Sequence, residues 1–199
     1  MSLTIPDAMR QRMHELEEAD RTDRIDGTEH KQRLRQVPPE TGRLLAIMAL
    51  LAPAGPVLEI GTSAGYSAMW LSLACRRRGS VLVTCEILPA KIALARETIR
   101  QAALEDVVEI MEGDGLQTLK SFDSLGFCFW DSDKDRAVAY YTAAVERLVP
   151  GGLFLADNAI SHKDRMGDML DMAVSDPRVD AVVVPIGKGV LLARRQHTA

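Results

Sequence analysis

The chain has 199 residues, of which 47% are hydrophobic and 26% charged, with a formal net charge of −4. That length suits one domain with a substantial core, and the acid excess argues against a general nucleic-acid binder. No apolar run approaches the ~20 residues of a membrane helix, and the first residues, "MSLTIPDAMRQRMHELEEAD", hold no apolar signal core, so no membrane contact and a cytoplasmic location are expected.

Residues 7–20 place Met9, Met13 and Leu16 at helical spacing among charges, which predicts an amphipathic helix whose stripe serves packing or dimer formation. Residues 21–36 are very polar and read as a loop or short helix. Pro38 and Pro39 punctuate, and a helix is expected from about Glu40 to Leu51. Strand-like runs then occupy 57–61, 81–86, 107–113, 126–131 and 152–157, with helix-like stretches at 65–77, 89–103, about 115–121 and 135–148. Strands alternating with helices mean parallel strands joined by crossovers. The runs are nearly continuous in apolar residues, as strands covered on both faces require. "AVVVPIGKGVLLARR" differs: two strand runs flank Gly187-Lys188-Gly189, and a connection that short gives an antiparallel pair. The expected fold is therefore α/β and Rossmann-like, a seven-stranded, mostly parallel sheet with an antiparallel C-terminal hairpin and helices on both faces. Cys75, Cys85 and Cys128 are far apart, form no CxxC and lie in or beside apolar runs. They read as buried thiols of a reducing compartment, not a zinc site.

Two stretches carry chemistry. "VLEIGTSAGYSAMWLSLA" is strand, tight turn and helix, with Gly61 and Gly65 flanking the turn. A helix start offers unpaired N–H groups and the positive end of the helix dipole, and ligands of open parallel sheets bind at the carboxyl ends of the strands. The turn lacks the G-x-G-x-x-G dinucleotide pattern and the lysine of a phosphate-binding loop. Glu59, inside the strand, would repel a pyrophosphate but hold an ammonium. Glu86, ending the second strand, stands where an acid grips ribose hydroxyls. An adenosine with a cationic or zwitterionic tail fits these features, and S-adenosylmethionine answers that description. The second stretch is "GGLFLADNAI", an apolar run that stops at Asp157 and Asn158. Alone, this pair is equally a turn or helix cap.

The chain resembles the cation-dependent O-methyltransferases, the group of catechol and caffeoyl-CoA O-methyltransferases. The resemblance covers roughly residues 33–195 and rests on "VLEIGTSAGYS", "CEILPAKIALAR", "GDGLQTL", "FWDSDKDRAVAYY", "LVPGGLFLADN" and "PIGKGVLLA". It implies a helical extension over 1–36 and a cofactor-binding and catalytic core over 37–199. It implies that Glu59, Gly61, Thr62 and Ser67, with the backbone near Val37, hold the methionine end of S-adenosylmethionine. Glu86 would bind the ribose, Asp114 and Gly115 would sit at the adenine, and Asp133 would lie near the cofactor. Asp131, Asp157 and Asn158 would ligate a divalent cation, with Asp131 also beside the cofactor, and Lys134 matches the catalytic lysine. Two carboxylates and an amide oxygen are a hard-oxygen set suited to Mg²⁺, with Ca²⁺ and Mn²⁺ as alternatives.

The activity implied is methyl transfer to a hydroxyl of a small vicinal-diol or phenolic acceptor, in a homodimer. His162 falls in a stretch read as a loop over the acceptor site. That stretch, "SHKDRMGDMLDMAVSDPRVD", is polar and lacks the aromatic residues that clamp a flat ring. A larger acceptor such as a tRNA hydroxyuridine therefore stands as an alternative, as does a cofactor-binding protein without catalysis. A nicotinamide oxidoreductase on the same fold is disfavoured by the missing glycine pattern. Trp70 and Trp130 read as packing residues.

Overall fold

The computed structural model describes residues 3–197. Helix α1 (Asp7–Asp23) leads through turns to α2 (Pro39–Leu51). Then follow β1 (Val57–Ile60), α3 (Tyr66–Arg78), β2 (Leu82–Glu86), α4 (Pro89–Gln101), β3 (Val108–Glu112) and α5 (Gly115–Lys120). The second half holds β4 (Leu125–Trp130), a 3₁₀ turn (Lys134–Arg136), α6 (Ala137–Arg147), β5 (Leu148–Asp157), α7 (Lys163–Ser175), β6 (Val179–Val184) and β7 (Val190–Arg195).

The seven strands form one sheet in the order β3-β2-β1-β4-β5-β7-β6. The first five strands pair in parallel, and β7 is antiparallel to both β5 and β6. The order reverses between β1 and β4, which opens a crevice at the carboxyl edge of the sheet. Strand β4 is buried at all six positions, so alternate side chains feed two cores. Phe127 and Phe129 pack with α1, α2 and α3 on one face; Cys128 and Trp130 pack with α5, α6 and α7 on the other. Met9, Met13 and Leu16 are buried in the first of these cores, so the α1 stripe is spent on packing within the chain. All three cysteines are buried and unbridged. Among the described residues no helix is long and apolar enough to cross a membrane.

Several boundaries differ from the sequence-based expectation. The polar stretch after Asn158 is mostly helix: α7 buries Met166, Met169, Leu170 and Ala173, an i, i+3, i+4, i+7 stripe set among acids that dilute its signal. Strand β5 starts at Leu148, so the residue expected to end α6 turns into the sheet instead. Strand β4 stops at Trp130. Asp131 lies one residue past it, although its N–H still donates to the Ile60 carbonyl at 2.9 Å.

Candidate active site

The turn after β1 is built for close approach. The N–H groups of Gly61 and Thr62 both donate to the Cys85 carbonyl, at 3.0 and 3.2 Å. Gly61 has φ +100°, and a Cβ there would lie 2.1 Å from the Asp131 carbonyl oxygen. Glycine alone satisfies both conditions, and the contact ties the β1 turn to the tip of β4. Glu59 points into this region from β1 and is fully buried. Its Oε2 accepts from the Thr84 hydroxyl at 2.5 Å, and Thr84 in turn meets the buried Thr62 hydroxyl at 2.6 Å. Glu59 Oε1 has no partner. Burial raises the Glu59 carboxyl to about 7, opposed by the nearby Ser67 and Thr84 hydroxyls. A buried carboxylate with a free oxygen is a receptor for a cation.

Glu86 is held by backbone. Its Oε2 accepts from Ser63 N–H at 2.9 Å, and Oε1 from Ile87 and Leu88 N–H at 2.8 and 3.0 Å. Lone pairs remain on Oε2 for a hydroxyl donor. The segment before α2 closes over this turn: Ser63 Oγ donates to the Leu34 carbonyl at 2.8 Å, and Lys91 Nζ donates to the carbonyls of Gln32 and Arg33. Val37, on the same segment, is buried in the core.

Asp114 and Gly115 stand at the start of α5. Asp114 caps the helix, accepting from Leu116 N–H at 2.9 Å. It is also gripped by Arg136, whose guanidinium makes three contacts of 3.1–3.2 Å and lies 5.5 Å from the Tyr140 ring. Arg136 holds the Asp114 carboxyl below its ordinary range. Asp133 is turned aside: it accepts from Asp135 N–H at 3.2 Å, its side chain is 59% exposed, and Arg165 lies 3.8 Å away.

The tips of β4 and β5 gather the other set. Asp131 Oδ1 accepts from Lys134 Nζ at 2.7 Å and from Asn158 Nδ2 at 2.9 Å. Lys134 is buried, and its ammonium lies 4.5 Å from the centre of the Trp130 ring, so Trp130 packs and also forms the floor under that amine. Asn158 has φ +71°, a left-handed conformation that asparagine tolerates, and its Oδ1 accepts from Ser161 Oγ at 3.2 Å. Asp157 is fully buried and neither of its oxygens has a partner. Burial first, and the Asp131 charge second, raise its carboxyl to about 7. His162 precedes α7, its Nδ1 is 3.0 Å from Ser161 Oγ, and burial followed by the Lys134 charge lowers its ring pKa.

Among the described residues no three His, Cys, Asp or Glu are grouped to hold a metal ion; the set here is two carboxylates and an amide. Its chemistry nevertheless fits a hard cation. A buried carboxylate with two unpartnered oxygens beside a second carboxylate calls for added positive charge, and rotating the Asn158 amide would offer an oxygen beside Asp157 and Asp131. Sequence patterning did not single out Arg136, Ser161 or Lys188 for the site. Lys188 was legible only as the centre of a hairpin turn.

Comparison with known proteins places the chain in a family. The chain is 34% identical over 148 residues to a catechol O-methyltransferase of Niastella koreensis, covering 72% of this chain and 65% of that protein. It is 35% identical over 123 residues to a catechol O-methyltransferase of Mycobacterium tuberculosis, covering 61% and 56%. The matched region thus spans less than two thirds of either relative. An O-methyltransferase from Bacillus cereus, solved in complex with SAH, superposes with a TM-score of 0.78 over 94% of this chain and 91% of that one, at 24% identity; this likeness speaks to the fold. The O-methyltransferase family profile matches residues 12–196, and the chain belongs to the O-methyltransferase family.

Proposed function

We propose that this protein transfers a methyl group from S-adenosylmethionine to a hydroxyl oxygen of a small vicinal-diol or phenolic acceptor, with a divalent cation at the tips of β4 and β5. The observation that carries this reading is Asp157, a fully buried carboxylate with no partner on either oxygen, beside Asp131 at the carboxyl edge of the sheet. Family membership and the catechol O-methyltransferase relatives support it.

Each residue then has a task. Glu59, with Ser67, receives the ammonium of the methionine end, and the Gly61-Thr62 turn lets the cofactor approach the backbone. Glu86 receives the ribose hydroxyls, while Asp114 and Gly115 line the adenine end. The sulfonium supplies an activated methyl. Asp131, Asp157 and the Asn158 amide oxygen would hold the cation, whose positive charge would favour loss of the proton from the acceptor hydroxyl. Lys134 would take the hydroxyl proton as the oxygen–methyl bond forms and the sulfur–methyl bond breaks. Asp131 and Trp130 position its amine. The rest of the acceleration comes from alignment of oxygen, methyl and sulfur.

The test is calorimetric titration with S-adenosylmethionine with and without Mg²⁺, followed by labelled methyl transfer to catechol and 3,4-dihydroxybenzoate. Metal-dependent transfer that EDTA abolishes and Asp157→Ala removes supports the reading. Cofactor binding without transfer to any diol overturns the small acceptor; no cofactor binding overturns the whole proposal.

A further inference from the structure

The segment 24–38, between α1 and α2, contains no helix or strand, yet side chains from three elements pin its second half. From the last turn of α1, Asp23 Oδ2 accepts from Leu34 N–H at 2.5 Å and Asp20 Oδ1 accepts from Gln36 N–H at 3.2 Å. From the turn after β1, Ser63 Oγ donates to the Leu34 carbonyl at 2.8 Å. From α4, Lys91 Nζ donates to the carbonyls of Gln32 and Arg33 at 2.9 and 2.7 Å. Residues 32–36 thus form a strap whose first three carbonyls are all met by side chains of other elements.

Lys91 is 4% exposed. An ammonium leaves water only at a cost that its hydrogen bonds must offset, and here those bonds go to the strap. The acids whose charges reach it, Asp23, Glu86 and Asp20, are each engaged by backbone N–H groups: Asp23 and Asp20 by the strap, Glu86 by Ser63, Ile87 and Leu88. Ser63 therefore joins Glu86, through its N–H, to the strap, through its hydroxyl, and it follows directly on the Gly61-Thr62 turn. The strap lies along this edge of the cofactor crevice. Its contact there is strained: Ser63 has φ +48°, and Arg35, next to Leu34, has φ +52°. Left-handed backbone at such residues persists only where the surroundings hold it, so a strap without its pins has reason to relax.

We infer that Lys91 is a positioning residue for the cofactor: its ammonium latches residues 32–36 against the turn after β1, and the latch sets how fast S-adenosylhomocysteine, the product of methyl transfer, leaves the crevice. This rests on the cofactor site of the proposed function. Lys91 acts through the strap and Ser63, not on the reacting atoms.

Surface plasmon resonance with S-adenosylhomocysteine over the immobilised whole chain separates association from dissociation. Lys91→Met keeps the length of the side chain and removes its charge. Dissociation should then speed about tenfold, the effect of one charge-assisted hydrogen bond, with association no slower. Lys91→Arg, which keeps the donors, should restore slow release. Limited trypsin digestion reads the strap itself, because Arg33 and Arg35 lie in it. Cleavage at these two residues should quicken in Lys91→Met, and S-adenosylhomocysteine should slow it in the wild type. A merely structural role would instead lower the thermal unfolding midpoint and speed cleavage along the whole chain. Where Lys91→Met does not fold, Ser63→Gly removes the other pin, suits the positive φ and should show the same faster release. Unchanged dissociation in the folded variant, affinity lost through slower association, or unchanged cleavage at Arg33 and Arg35 overturns the inference. If the wild type binds no S-adenosylhomocysteine, the cofactor site itself is overturned and the latch with it.

Discussion

The two sides of the crevice treat their carboxylates in opposite ways. On the β1–β2 side, Glu86 is saturated by three backbone N–H groups and Glu59 is anchored by Thr84, itself bonded to Thr62. On the β4–β5 side, the Asp157 carboxylate has no hydrogen-bond partner, and Asp131 shares one oxygen between Lys134 and Asn158. The first side is preorganised by its own chain. The second leaves charge uncompensated, and its order depends on what binds there. Buried carboxylates are costly without partners, so the unpaired set marks where an exogenous cation has most to offer.

The comparison can be broken most directly at the β4–β5 side. Lys134→Ala is expected to lower turnover by about 10²–10⁴-fold, the usual range for a lost general base, with cofactor affinity unchanged; single-turnover kinetics paired with calorimetry reads both. A fall in cofactor affinity alone would move Lys134 to the binding side of the site.

Gly61→Ala joins the two sides in one test. Its Cβ would collide with the Asp131 carbonyl and its φ of +100° is strained for alanine. A loss of about 1–3 kcal/mol is expected in urea unfolding, accompanied by weaker cofactor binding. Unchanged stability would show that the two strand tips can separate.

Glu59 sharpens the contrast through pH. Its carboxyl sits near 7 in the folded chain, above the ordinary value of about 4.3 in the unfolded chain. The folded state therefore keeps a proton that the unfolded state releases between those values. Its contribution to stability is present below the unfolded value and is lost as pH rises through about 7, at up to about 1.4 kcal/mol per pH unit. Thermal unfolding from pH 4.5 to 8 should show this loss, and Glu59→Gln should flatten it. A cationic ligand prefers the ionised form, so S-adenosylmethionine affinity should rise over the same range in the wild type and not in the variant.

The smallest effect is expected at Arg136. Its pair with Asp114 is partly exposed, with 41% and 33% of the two side chains open to solvent, so Arg136→Ala should cost less than about 1 kcal/mol. A larger loss in chemical denaturation would mean that the pair locks α5 to the 3₁₀ turn.

Much of this architecture was legible from pattern. Continuous apolar runs such as "GFCFW" announced strands buried on both faces, and Gly61 announced a turn in close contact. The helix α7 was not legible, because Met166, Met169, Leu170 and Ala173 are too few among acids to outweigh their polar neighbours. Asp131 and Asp157 could be nominated from their positions after apolar runs, but the same dipeptides serve as turns elsewhere.

The local sequence by itself determined the order of elements, the parallel crossovers and the C-terminal hairpin, since hydrophobic periodicity and glycine or proline punctuation act over a few residues. It also determined which acids stand at strand tips. Only the tertiary structure decided that the Asp157 carboxylate would be left without a partner while Asp133, which caps a 3₁₀ turn, would lie near Arg165. It likewise decided that Arg136 would grip Asp114 and that the Lys188 carbonyl would bond to the N–H groups of Ile160 and Ser161, nearly thirty positions earlier in the chain. Burial and charge pairing depend on groups distant in sequence, and no spacing rule along the chain reports them.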